Sequence, residues 1–166
     1  VVWEDTRKEQ GADLTTARYR LVPTSGTASK VWISQGDSTR PTGRPVVAMS
    51  PATGNFMIAS VTGGHTITAH YYTAVTPDKA TSTPAILKAG SSRYVNPILT
   101  ALPKEEHFAL AYFLSFGTSY TLQLIVLGSN KAIIPAVDVA SGKLPPYLPH
   151  VTANKTTIAV AWTERA

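Results

Sequence analysis

Cysteine is absent from the 166 residues, so no disulfide staples the chain and no thiolate can hold a metal. Charge is scarce too. Charged residues make up 15%, against roughly 25% in an average soluble protein. The polar surface must come from Thr, Ser, Asn and Gln, a balance that suits an extracellular or cell-surface β protein. No apolar run approaches the ~18 residues of a membrane-crossing helix, so no membrane span is expected. The opening residues VVWEDTRKEQ have neither the basic nor the apolar region of a signal peptide. A leader removed earlier is compatible with a start that is not Met.

Catalytic signatures are equally sparse. The chain contains no G-x-S-x-G, no phosphate-binding G-x-x-x-x-G-K-[ST] and no G-x-G-x-x-G. The four histidines are His65, His70, His107 and His150. His65 and His70 alone are near neighbours, at a spacing that puts them on opposite faces of a strand, which is wrong for a metal pair. Surface or groove histidines are the simpler reading. The acidic pairs Glu4-Asp5 and Glu105-Glu106 point to opposite sides of an extended chain and share no local pocket. Glu105-Glu106 reads as a solvated turn. No catalytic residue, metal site or cofactor is expected.

What is present is a packed-core composition, 43% hydrophobic, which argues against disorder. The net charge of +5 arises from fifteen bases spread along the chain. Residues 1–44 hold seven bases and five acids, with no stripe or cluster of the kind that grips a phosphate backbone. Nucleic acid is therefore not expected as a partner.

The strongest signal is internal repetition. Pro45, Pro97 and Pro149 stand 52 residues apart. Short β-type runs follow each, at 46–49, 98–101 and 150–153. A polar turn leads to a second run at 56–60, 108–112 and 158–162. Trp3, Ser60, Tyr112 and Trp162 then share one column, at intervals of 57, 52 and 50. Third runs are read at 14–21, 66–74 and 120–127, and fourth runs at 30–34, 84–88 and 132–137. Ile67-Thr68-Ala69-His70-Tyr71 alternates as a half-buried strand does. A helix over 101–112 is rejected, because Pro103 and the matching copies demand a hairpin.

Four short strands recurring about every fifty residues predict an all-β fold, a β-propeller-like array of about three four-stranded antiparallel blades. Residues 1–166 form one β-repeat domain, with copies at 1–44 (partial), 45–96, 97–148 and 149–166 (partial). A two-sheet sandwich is the rival, but it needs no such recurrence. Closed propellers generally have at least four blades, so the array is expected to be part of a larger propeller. Missing blades or other chains would be the partners that complete it.

The stretch Val1-Val2-Trp3-Glu4-Asp5-Thr6-Arg7 resembles blades of bacterial-type β-propellers, which read apolar-apolar-Trp-x-Asp-x-Arg before a further strand. Pro45-Val46-Val47-Ala48 with Gly54-Asn55-Phe56-Met57-Ile58-Ala59 is similar to a common blade opening. The middle copies carry Ser60 and Tyr112 in place of Trp and keep neither the Asp nor the Arg. The resemblance implies a fold rather than an activity. It makes Asp5 with Arg7, and Glu164 with Arg165, structural ties between blades or, alternatively, a polar rim that captures a glycan or peptide.

Asn154-Lys155-Thr156 fits the N-glycosylation sequon and falls in a turn that would tolerate a glycan. The resulting functional expectation is a non-enzymatic extracellular structural and interaction module on a β-propeller segment. The alternatives are a carbohydrate-binding, lectin-like propeller, and a glycosidase-like propeller whose catalytic parts lie outside this chain.

Overall fold

The computed structural model describes residues 1–9, 12–23, 25, 27, 30, 32–33, 42–103, 106–143 and 147–163. These residues form β-strands and turns, with no helix among them. The strands follow in order as β1 (Val2–Glu9), β2 (Ala12–Tyr19), β3 (Trp32–Ile33), β4 (Thr42–Met49), β5 (Phe56–Thr62), β6 (Thr66–Tyr72) and β7 (Ser82–Lys88). They continue as β8 (Arg93–Ala101), β9 (Phe108–Phe116), β10 (Ser119–Leu127), β11 (Ala132–Gly142), β12 (Tyr147–Ala153) and β13 (Ile158–Thr163).

Each strand pairs antiparallel with its sequence neighbour, giving sheets β1-β2-β3, β4-β5-β6-β7, β8-β9-β10-β11 and β12-β13. Local chemistry explains the meander. Val, Ile, Thr and aromatic residues fill the strands, and Gly and Asn mark the reversals. Gly117 opens the two-residue turn between Phe116 and Ser119 with a φ of 58°, a left-handed conformation that glycine adopts without steric cost.

The sheets stack in chain order. Alternation sends Phe56 and Ile58 of β5 to one side, where they meet Tyr19 and Tyr72. Phe56 and Tyr72 stack with ring centroids 4.9 Å apart. Met57, Ala59 and Val61 face the other way and join Phe108, Leu110 and Tyr112 of β9 in the largest core cluster. The opposite face of β9 carries Ala111 and Phe113, packed with Tyr120 and Leu122 and against Val151, Val160 and Trp162. Covered on both faces, β5 and β9 are buried nearly end to end, whereas β13 alternates partly buried and exposed positions. Each large apolar side chain taken out of water contributes roughly 1.5–3 kcal/mol, so most of the stabilisation lies between sheets rather than within any one.

Positions aligned in the sequence meet aligned partners in the pairing register. Val46 faces Ala59, Ile98 faces Ala111 and His150 faces Ala161. Ser60, Tyr112 and Trp162 each follow that alanine, as their shared column requires. Ala101, at the end of β8, pairs with Phe108, at the start of β9, in the hairpin that Pro103 leads one to expect. No sheet among the described residues closes on itself. Nor is any helix among them long and apolar enough to cross a membrane.

Candidate functional site

Pro45, Pro97 and Pro149 lie inside β4, β8 and β12, not at their openings. A proline in a paired strand has no N–H to give the ladder and needs an irregularity. All three copies supply the same one. Between Gly43 and Val46 the partner strand advances only from Val61 to Ala59, so β4 holds one residue too many. Val95 to Ile98 against Phe113 to Ala111 repeats this, as does Tyr147 to His150 against Thr163 to Ala161. Each is a β-bulge, which bends the strand and re-aims its side chains.

The bulges carry unusual backbone. Arg44 and Asn96, each immediately before the proline, have φ values of 52° and 47°. They are the non-glycine residues with positive φ among those described. Asn enters this region fairly readily, but for Arg it costs roughly 1–2 kcal/mol. β8 packs between β4 and β12, so the three bulges converge. They line one groove of about 380 Å³, with walls of Pro45, Val46, Pro97, Ile98 and Pro149 and polar groups from Arg44, Asn96 and His150. Among the described residues no carboxylate lines it. The site therefore presents an apolar cleft with a guanidinium, an amide and an imidazole, one from each copy.

A second polar constellation ties two sheets together. Glu106, in the turn before β9, accepts a hydrogen bond from the Tyr71 hydroxyl at 2.5 Å and one from Asn55 Nδ2 at 2.6 Å. The same Asn55 Nδ2 donates to the Tyr71 hydroxyl oxygen at 2.9 Å, while Asn55 Oδ1 accepts from the Ala74 amide at 2.8 Å. The bond from Tyr71 is the main reason the Glu106 carboxyl is held below its usual range, against an opposing effect of burial. Burial, reinforced by the neighbouring carboxylate, pushes Tyr71 up to about 12. This arrangement acts as a clamp between the two sheets. The solvated-turn reading of Glu106 is thereby corrected: it sits across the interface and is partly buried. Ser82 Oγ, donating to the Ser129 carbonyl, adds a second tie between the same sheets.

Asp5 and Arg7 fall in β1, opposite Thr16 and Leu14, and their side chains lie outside the described residues, as do Glu164 and Arg165 altogether. Asn154 stands exposed in the turn between β12 and β13, its Oδ1 accepting from the amides of Thr156 and Thr157 at 2.9 and 2.8 Å. His70 is not a surface residue: it is buried in β6, with Nδ1 3.1 Å from Thr83 Oγ1. His65 Nδ1 lies 2.6 Å from the Ser92 carbonyl oxygen. Among the described residues no group of three or more His, Asp or Glu side chains could hold a metal ion. Arg44 and Asn96 belong to no motif, and His150 stood in the sequence only as one of four scattered histidines. The available signal was their position beside the aligned prolines.

No protein-family model, curated protein or solved structure matches the chain.

Proposed function

We propose that the chain is a non-enzymatic binding module built as a segment of a β-propeller-type array, with the proline groove as its contact surface. One observation carries this reading. Three sequence copies 52 residues apart place their prolines, their bulges and their left-handed or polar flanking residues around one cleft. Four-stranded meanders stacked in chain order, with first strands adjacent, are what propeller blades require. Strained backbone gathered in a cleft is a common mark of a binding site. The extracellular setting rests on the low charge and the Thr- and Ser-rich surface.

The test is an array of glycans and short peptides probed with the wild-type chain and with the Arg44→Ala/His150→Ala double variant, alongside assays for glycoside and peptide hydrolysis. Selective binding that disappears in the double variant, without turnover, supports the module. Turnover, or binding indifferent to the two substitutions, overturns it. A carbohydrate-binding array remains the form this reading takes if the retained class is a sugar.

A further inference from the structure

The chemistry of the groove narrows what it accepts. Its charged group is a guanidinium, a planar fork of donors shaped for two-point contact with a carboxylate. Asn96 offers an amide N–H₂, and His150 a ring nitrogen, from the two neighbouring copies. Among the described residues no acidic side chain lines the cleft. The net charge of +5 favours the approach of an anion to the molecule as a whole.

The walls argue against phosphate. Phosphate sites are built largely from converging backbone N–H groups and several cations. Pro45, Pro97 and Pro149 have no N–H to contribute, and among the described residues the lining carries a single residue that is always cationic. The prolines with Val46 and Ile98 instead give an apolar surface. A cleft of about 380 Å³ falls at the small end of ligand pockets.

The backbone supplies an independent pointer. Arg44 follows Gly43 directly, yet the arginine and not the glycine occupies the left-handed position, at φ 52°. Glycine at position 44 would relieve the strain. An arginine kept where glycine fits better is accounted for by what its side chain does.

We infer that the groove formed by the three bulges is a binding site for a small monocarboxylate with an apolar body, its carboxylate held by Arg44 and assisted by Asn96 and His150. This rests on the binding-module reading and specifies its ligand class. The apolar body lies along the proline walls, where it displaces water from a surface that can offer that water few hydrogen bonds.

Calorimetric titration of the chain tests it with 4-phenylbutyrate, its neutral amide 4-phenylbutyramide, and inorganic phosphate. The carboxylate is expected to saturate one site, with the amide and phosphate each at least about tenfold weaker, since a charge-assisted hydrogen bond is worth roughly one to two decades of affinity. Arg44→Gly should weaken carboxylate binding by about tenfold or more while the far-ultraviolet circular dichroism of the chain stays that of the wild type. His150→Ala, at an exposed position, should weaken binding without altering the fold. Equal binding of the amide, tighter binding of phosphate, no saturable carboxylate binding, or wild-type affinity in both variants overturns the assignment. If a neutral ligand from the array is lost on Arg44→Ala/His150→Ala while carboxylates fail, the ligand class is wrong and the binding module stands.

Discussion

The hydroxyl of Tyr71, on one sheet, donates to Glu106 Oε2 of the next sheet at 2.5 Å. The bond crosses the largest core interface at its rim, with Phe108 packed edge-on to the Tyr71 ring, centroids 6.2 Å apart. It links two stacks whose attraction is otherwise non-directional, and so helps fix how one sheet is seated on the other.

This pair makes stability depend on pH at both ends. The Glu106 carboxyl is held below its ordinary 4.5, chiefly by Tyr71, so its contribution is present above that value and is lost as pH falls through the lowered one. Tyr71 is raised from 10.0 to about 12, so its contribution is present below pH 10 and is lost as pH rises towards 12. Melting temperature measured from pH 2.5 to 11 should fall off on both sides. Glu106→Gln should flatten the acid limb and cost about 1 kcal/mol at neutral pH. An unchanged acid limb would show that the carboxylate is not held by the clamp.

Repeat-equivalent alanines should respond unequally. Ala59 and Ala111 are 0% exposed between stacked sheets, whereas Ala161 at the same register position is exposed. Leucine at position 59 or 111 is expected to cost about 1–3 kcal/mol by overpacking. Leucine at position 161 should shift stability by less than about 0.5 kcal/mol. Chemical denaturation of the three variants provides the comparison, and equal losses would refute the stacking order.

The Phe56–Tyr72 stack closes the core against Tyr19, whose ring lies 5.8 Å from Phe56. Phe56→Ala should destabilise the chain by about 3–5 kcal/mol through lost burial and a residual cavity. A loss under about 1 kcal/mol in urea melts would mean that the first two sheets are not packed together.

Gly142 is pinned from the side. A Cβ there would sit 2.5 Å from Tyr120 Cε1, in a ring that is itself buried. Gly142→Ala should cost about 1–3 kcal/mol by overpacking, and Gly142→Ala/Tyr120→Leu should recover part of it. A double-mutant cycle with no coupling would place the clash elsewhere.

Much of the architecture was legible in the residues. The alternation of 67–71, the turn glycines and the 52-residue spacing of the prolines are local or periodic signals, and they locate the strands of both complete copies to within a few residues. The site was far less legible. Asp5, Arg7, Glu164 and Arg165 drew attention through resemblance, while Arg44, Asn96 and His150 belong to no motif and become neighbours only because three strands bulge towards one another. Glu106 looked like a solvated turn residue because nothing nearby in the chain announces Tyr71, 35 positions away.

The amino-acid sequence by itself determined that the described residues are all-β and where strand and turn follow one another in the two four-stranded sheets. Side-chain period and turn chemistry act over a few residues and need no distant partner. Only the tertiary structure decided which faces are covered twice, that a carboxylate clamps two sheets, and that three prolines open one groove. Those outcomes depend on how whole sheets seat against each other, a balance of packing contacts spread over dozens of side chains that no short stretch encodes.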